Sequence, residues 1–148
     1  MKNIINTSLF IIICIILSSC SISKNNDENI NSLDKKDKST MNIIINNTSY
    51  KLNIEENETT NVLTNLLPLD LKLTELNGNE KYVYLDEKLP TNTYKPKKIS
   101  KGDVMLYGDN CLVIFYKSFE TSYSYTKIGH IDDLPDLGTG SISVKLSR

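Results

Sequence analysis

One stretch of this sequence, residues 102–131, limits what the chain can fold into more than any other. It contains three runs of apolar and aromatic residues, at 104–107, 111–117 and 122–128, separated by short polar segments. Runs of this length with polar separators are typical of consecutive antiparallel strands. Gly108-Asp109-Asn110 tolerates positive backbone dihedral angles, so it predicts a tight hairpin turn between the first two runs. The stretch therefore predicts a β-sheet.

The second run is apolar at both odd and even positions. A strand would place Cys111, Val113 and Phe115 on one face and Leu112, Ile114 and Tyr116 on the other. A strand with two apolar faces is covered on both sides, which predicts a central place in a sandwich or a closed barrel. The third run alternates between aromatic and polar residues, so we expect one of its faces to be wet or to line a cavity.

The N-terminus carries the pattern of a secretion signal, residues 1–19. Lys2 precedes an uncharged apolar run at residues 9–17, which is too short to cross a bilayer core of roughly 30 Å, a distance that takes about 20 helical residues. The run ends in Leu17-Ser18-Ser19-Cys20, which resembles the lipobox of bacterial lipoproteins. That resemblance implies cleavage before Cys20, a diacylglycerol on its sulfur and further acylation, for example with palmitate.

The lipobox resemblance implies a protein held by lipid on the extracytoplasmic face of the cell membrane, because each buried CH₂ of an acyl chain contributes about 0.8 kcal/mol. The alternative is an ordinary cleaved signal followed by an incidental cysteine. After Cys20, the segment up to residue 40 holds few large apolar side chains and balanced opposite charges, so we expect a disordered tether at residues 20–40. Residues 34–38 would touch anionic lipid only weakly, because their charges nearly cancel.

The lipobox resemblance implies that the mature protein has no intramolecular disulfide. Cys14 would leave with the signal and Cys20 would carry the lipid, so Cys111 would remain alone. Because Cys111 lies in a run that is predicted to be buried, we expect it to pack in the core. The alternative, a catalytic nucleophile, needs exposure and a neighbouring base.

We expect residues 41–148 to form one domain with its own core. A threonine cap followed by apolar residues from Val62 to Leu67 predicts a short helix, which Pro68 ends and which plugs one end of a barrel. The strands predicted around it, including a hairpin at Asn46-Asn47-Thr48, are residues 41–45, 49–54, 70–75 and 141–146. Tyr82 and Tyr84 begin a less regular, proline-containing segment, which predicts at best an edge strand followed by a surface loop.

Three segments carry a resemblance to a known family: GNEKYVYLDEKLP at residues 78–90, GDVMLYGDNCLVIFYKSFETSYSYTKIGHID at residues 102–132 and GTGSISVKL at residues 138–146. Together with the order of the predicted elements, they resemble the bacterial cyclophilin-like fold family. The resemblance implies a mainly β domain, a closed and mostly antiparallel barrel of about eight strands with a short helix capping one end. It implies no activity.

Catalytic hypotheses find little support in the residues. Cyclophilins that isomerise X-Pro bonds use an arginine to remove the amide resonance behind a barrier of roughly 20 kcal/mol, and the sole arginine here is the last residue, Arg148. A divergent peptidyl-prolyl isomerase is nevertheless the enzyme alternative. The single histidine, His130, excludes a multi-histidine zinc site, and we interpret the neighbouring Asp132 or Asp133 as the cap of one helical turn rather than as a cation site. We expect no metal and no cofactor.

The leading hypothesis is a binding module. The formal net charge of −1 and the absence of a basic stripe give no reason to expect nucleic acid. Aromatic side chains from neighbouring strands would instead line a groove for a peptide or a small apolar ligand. The candidate residues are Tyr107, Tyr116, Phe119, Ser122, Tyr123 and Tyr125, with Tyr82 and Tyr84 at the rim. The alternative is that these rings are core and strand-surface pairs. We expect a monomeric, non-catalytic lipoprotein, with a purely structural envelope module as the third hypothesis.

Overall fold

Residues 39–148 are the part of the chain that the computed structural model describes. Within them, eight antiparallel strands close into a barrel in the order β1-β10-β3-β4-β7-β6-β9-β2, and β5 and β8 pair as a separate two-stranded sheet. The elements are β1 Thr40–Ile45, β2 Thr48–Ile54, α1 Glu58–Asn65, β3 Leu69–Leu76, β4 Glu80–Tyr84, β5 Lys98–Ile99, β6 Asp103–Tyr107, β7 Cys111–Phe115, β8 Phe119–Glu120, β9 Thr126–Ile131 and β10 Ile142–Ser147. The predicted fold class, a closed antiparallel barrel with a short helix, is confirmed.

Two predicted hairpin turns are present. Asn46 and Asn47 adopt φ of 45° and 70° between β1 and β2, and Gly108 adopts φ of 62° between β6 and β7. Positive φ at these positions matches the twist of the paired strands, and Asn and Gly reach it at low cost. The turn residues identified in the sequence therefore set the register of both strand pairs.

The short helix α1 covers one end of the barrel, which we call the helix end. Leu63 is fully buried among the side chains of the barrel interior, and the neighbouring apolar residues of the helix pack partly against the same core. The predicted threonine cap is wrong in detail: the Asn57 side chain accepts from the Thr60 backbone N–H at 2.9 Å, and the Thr60 hydroxyl lies 3.2 Å from the Asn57 nitrogen. Thr60 is thus the reciprocal partner in a capping box rather than the cap itself.

The opposite end of the barrel, which we call the loop end, is closed by contacts of a buried lysine. Lys81 is fully buried on the inner face of β4, and its ammonium donates to the carbonyls of Gly138 at 2.6 Å and Gly140 at 2.7 Å. The ammonium also lies 4.9 Å from the ring centre of Tyr116. These contacts draw the segment between β9 and β10 over the barrel mouth. Burial lowers the pKa of Lys81, and the nearby carboxylates of Glu75 and Asp136 oppose that shift.

The segment at the loop end is not helical, so the predicted helical turn there is wrong. Asp133 adopts φ of 53°, which a right-handed helix excludes. The later part of the segment is instead bound to the barrel, because the carbonyls of Gly138 and Gly140 accept hydrogen bonds from Lys81. A partner 57 residues away thus fixes the path of this segment.

Strand β7 is buried on both faces, as its sequence predicts. Leu112 and Ile114 belong to the inner core of the barrel, while Cys111, Val113 and Phe115 belong to a second cluster on the outside. This outer core is completed by Met105 of β6 and by residues of the segments that carry β5 and β8, namely Ile99, Phe119 and Tyr125. The barrel therefore has a second apolar layer over part of its outer surface.

The outer core explains why the third apolar run is only partly a strand. The chain leaves the barrel after Phe115, contributes β8 to the outer layer, and returns at Thr126, so β9 begins four residues later than the run predicts. Before that point, Tyr125 forms only an isolated bridge with Tyr94. Of the two aromatic residues of the run, Tyr125 packs in the outer core and Tyr123 is exposed, so neither belongs to the barrel wall.

The assignment of Tyr82 and Tyr84 to an edge strand or loop is wrong. Both lie on β4, which pairs with β3 on one side and with β7 on the other. The prolines that suggested irregular structure come after this strand, so they interrupt none of its hydrogen bonds. Tyr82 and Tyr84 point outward from the barrel, because strand neighbours alternate and Lys81 points inward.

Alanine substitution of two adjacent residues of β6 tests whether both faces of this part of the barrel wall are packed in a core. Met105 contributes to the outer core and Leu106 to the inner core, and each is almost completely buried. We expect Met105→Ala and Leu106→Ala each to lower the free energy of unfolding by about 2–5 kcal/mol in chemical denaturation. Lys145→Ala, on the exposed outer face of β10, is the control and should change it by less than about 0.5–1 kcal/mol. A Met105→Ala variant as stable as the control would contradict the outer core.

Candidate functional site

An open groove of about 270 Å³ lies on the outer face of the barrel beside the outer core. Residues on the outward parity of β4 and β7 form its floor, and tyrosines from β6 and from the chain before β9 form one wall. The lining residues are Leu76, Asn77, Glu80, Tyr82, Tyr84, Tyr107, Cys111, Val113, Tyr123 and Tyr125. Half of them are tyrosines, so the groove is an aromatic surface.

The tyrosines stand in edge-to-face pairs. The ring centres of Tyr82 and Tyr84 lie 5.9 Å apart with planes at 81°, and those of Tyr107 and Tyr123 lie 5.9 Å apart at 86°. Tyr125 packs on Tyr107 at 5.7 Å and on Phe115 of the outer core at 5.5 Å. The outer core thus supports the tyrosine wall, while Tyr84 and Tyr123 remain more than half exposed, at 64% and 61%. Rings held in this way offer contact area with little entropy left to lose.

Glu80 is the charged member of the groove. It lies on β4 beside the tyrosines, is partly buried, and has a raised pKa, chiefly because burial penalises its carboxylate and secondly because the carboxylate of Glu75 is near. Within residues 39–148, no side chain or backbone group forms a hydrogen bond or ion pair with the Glu80 carboxylate. Its charge is therefore left uncompensated by the part of the chain that is described.

The thiol of Cys111 lies at the floor of the groove but is almost fully buried. Burial, with a smaller contribution from the charge of Glu80, raises the pKa of Cys111 to about 11. The reactive thiolate is therefore scarce at neutral pH. This environment supports the interpretation of Cys111 as a core residue.

Five of the eight aromatic and serine candidates meet in this groove, namely Tyr82, Tyr84, Tyr107, Tyr123 and Tyr125. The other three lie elsewhere. Tyr116 is inside the barrel, with its hydroxyl 3.2 Å from a Glu75 carboxylate oxygen, and Phe119 packs on Phe115 at 5.7 Å. Ser122 lines a separate shallow depression beside β5 and β8. Ligand binding by any of these residues stays a prediction.

Sequence reasoning missed Glu80, Leu76 and Asn77 as lining residues. A signal for Glu80 was present, because Glu80, Tyr82 and Tyr84 alternate and would share one face of a strand. The prolines later in the same segment indicated irregular structure instead, which hid this alternation. Leu76 and Asn77 come from the adjoining hairpin, and nothing in their local pattern indicates a groove.

The remaining candidate residues form structural contacts away from the groove. The Nδ1 atom of His130 lies 3.0 Å from Asp103, a pairing that the sequence did not suggest, and its Nε2 atom lies 3.7 Å from Asp132. Among residues 39–148, no three His, Cys, Asp or Glu side chains are arranged to hold a metal ion. The guanidinium of Arg148 is near α1, where it donates to the Thr64 carbonyl at 3.4 Å, and it does not line the groove.

The fold and the site together define a small closed β-barrel with an aromatic groove on its outer wall. The sequence profile of the cyclophilin-like family matches residues 43–147, so the chain belongs to that family. Neither curated proteins nor solved structures show a match to this chain. Within residues 39–148, the structure contains no helix with the length and apolar character needed to cross a bilayer.

Neutralising Glu80 tests the electrostatics of the groove. Because its pKa is raised in the folded protein, folding becomes less favourable as the pH rises from the usual range of a glutamate through that raised pKa. We expect Glu80→Gln to be at least as stable as the parent at pH 7, with any advantage disappearing below the usual glutamate range, by urea denaturation at several pH values. Glu120→Gln, at an exposed position outside the groove, is the control. A Glu80→Gln variant less stable than the parent at pH 7 would show that the carboxylate has a stabilising partner.

Proposed function

We propose that this protein is a lipid-anchored lipoprotein on the extracytoplasmic face of the membrane, whose cyclophilin-like barrel is a non-catalytic binding module for a peptide or a small apolar ligand. The observation that carries the proposal is the convergence of five tyrosines on one open groove. Their side chains come from two barrel strands and from the segment before β9, so the fold brings together residues that are up to 43 positions apart in the sequence.

The size of the groove limits its ligand. Sites for drug-sized molecules enclose roughly 300–1,000 Å³, and this groove is slightly smaller at about 270 Å³. It therefore suits one or two side chains of an extended peptide, or a ligand with few non-hydrogen atoms. Exposed tyrosines favour either, because each ring combines an apolar face with a polar hydroxyl.

The position of the arginine favours binding over isomerisation. An isomerase that works through a planar guanidinium needs that group beside the bound proline. Arg148 instead contacts Thr64 at the helix end and lines a different depression. The proposal therefore assigns no catalytic residue. A purely structural envelope module would be favoured if the groove bound nothing.

Only the sequence supports the lipid anchor, because Cys20 and residues 21–38 lie outside the described residues. The chain enters the barrel at the helix end, where the carbonyl of Ser39 accepts from the Ile54 N–H at 2.9 Å. A flexible tether of this length spans roughly 25 Å on average, so the domain would reach ligands close to the membrane. The barrel would thus bind its ligand only within the reach of its tether.

Serine substitution of the exposed tyrosines tests the groove. Peptides that have been selected for binding to the parent protein should bind Tyr84→Ser and Tyr123→Ser about tenfold more weakly or worse. Aromatic side chains that become buried on binding contribute more than about 1–2 kcal/mol each. Fluorescence anisotropy with labelled peptides measures this loss. Tyr94→Ser is the control, since Tyr94 is also exposed, at 41%, but does not line the groove. Equal losses in all three variants, or none, would place the binding surface elsewhere.

Substitution of single cysteines tests whether Cys20 carries the lipid anchor. In cells fed radiolabelled palmitate, we expect Cys20→Ser to lose both the label and the membrane fraction, because the sulfur that carries the lipid is gone. Cys111→Ala is the control, since that thiol is buried and its removal leaves the anchor intact. Labelled, membrane-bound Cys20→Ser protein would exclude a lipid on this sulfur.

A further inference from the structure

The groove combines aromatic walls with a single charge. Of its lining residues, all within the described part of the chain, Glu80 is the one that carries a formal charge at neutral pH. No lysine, arginine or histidine lines the groove within residues 39–148. The local field in the groove is therefore negative.

The carboxylate of Glu80 differs from the exposed carboxylates of the domain. Asp109 pairs with Lys88 at 2.8 Å and Asp70 pairs with Lys145 at 3.7 Å, although these pairs are well exposed to water. Glu80 is partly buried and has no such partner among the described residues, and the nearby carboxylate of Glu75 repels it. A partly buried charge without a partner is costly, so this position favours a cation supplied by a ligand.

The lysine next to Glu80 does not supply that cation. Lys81 points into the barrel, where its ammonium binds the carbonyls of Gly138 and Gly140. It is thus on the other side of the sheet from the groove. The two adjacent charges of β4 are separated by the barrel wall, which leaves the outer one available.

The tyrosine pairs suit a cation as well. In both the Tyr82–Tyr84 pair and the Tyr107–Tyr123 pair, the ring planes are nearly perpendicular. A group lying in the angle between two nearly perpendicular ring planes can meet a face of each ring. The faces of tyrosine rings attract cations within about 6 Å, by roughly 0.5–2 kcal/mol each.

We propose that the groove binds a soluble alkylated ammonium ion of the choline type, with its methyl groups against the tyrosine rings and its charge balanced by Glu80. This inference rests on the proposed function, because it takes the groove to be the binding site. An alkylated ammonium fits better than a primary one, since a primary ammonium is strongly hydrated and loses more of its hydration against the faces of aromatic rings. A phosphate ester of the same cation is disfavoured, because its phosphate would meet the negative field of the groove.

The test compares choline with its uncharged isostere, 3,3-dimethylbutan-1-ol, by titration calorimetry on the full chain in an uncharged maltoside detergent. Choline should bind at least tenfold more tightly than the alcohol. Glu80→Gln should weaken choline binding at least fivefold and leave the alcohol unchanged, whereas Glu120→Gln should change neither. Ethanolamine and phosphocholine, titrated in parallel, should each bind at least fivefold more weakly than choline. Circular dichroism establishes that each variant is folded.

The outcomes separate this inference from the proposed function. Equal binding of choline and the alcohol would overturn the ammonium ion and leave an apolar binding groove. Ethanolamine or phosphocholine binding as tightly as choline would overturn the stated class of cation. If choline does not bind while selected peptides still bind through Tyr84 and Tyr123, the inference fails and the proposed function stands. If choline, the alcohol and every peptide fail to bind, both fail.

Discussion

The burial of β7 on both of its faces is the constraint from which the other features of this domain follow. An ordinary small barrel needs apolar side chains only inside, and its outer positions meet water, as they do along β10. Here the outward positions Cys111, Val113 and Phe115 are as apolar as the inward ones, so the fold needs a second layer outside the wall. The segments that carry β5 and β8 provide that layer, in which Ile99 of β5 is fully buried. These segments are long, but they pack against the outside of the barrel wall. Removing their apolar surface from water contributes roughly 25 cal/mol per Å² to the stability of that packing.

The groove lies where the outer layer stops. Tyr125 belongs to both, since it packs on Phe115 in the outer core and on Tyr107 in the tyrosine wall. The outer core therefore supports the wall through the packing of Tyr125, which reduces the entropy that a ligand must overcome. Along the other side, Tyr82 and Tyr84 are fixed by their place in the strand ladder of β4. Preorganisation of this kind is what makes a shallow aromatic surface a credible binding site.

The local sequence pattern predicted those structural elements whose pairing strands are near in the sequence. The hairpins at Asn46-Asn47 and Gly108 and the double-sided character of β7 follow from turn chemistry and alternation alone, and the closure of the barrel followed from the family resemblance. The failures have separate causes. The prolines that follow β4 indicated irregular structure for the whole segment, which hid the strand face that carries Glu80, Tyr82 and Tyr84. The contact that closes the loop end joins Lys81 to carbonyls 57 and 59 residues away, which accept hydrogen bonds from its ammonium. No single-sequence pattern encodes a contact of that range.

The two charges at the start of β4 show how this strand serves fold and site at once. Strand geometry sends Glu80 and Lys81 to opposite sides of the wall, so their charges cannot neutralise each other directly. The inner charge is satisfied by backbone carbonyls and by the face of Tyr116, and it closes the loop end. The outer charge has no equivalent role in the described structure, and burial works against it. A glutamine would have the same shape without that penalty. A partly buried carboxylate that the fold does not need, placed among exposed tyrosines, is typical of a site where stability is given up for recognition.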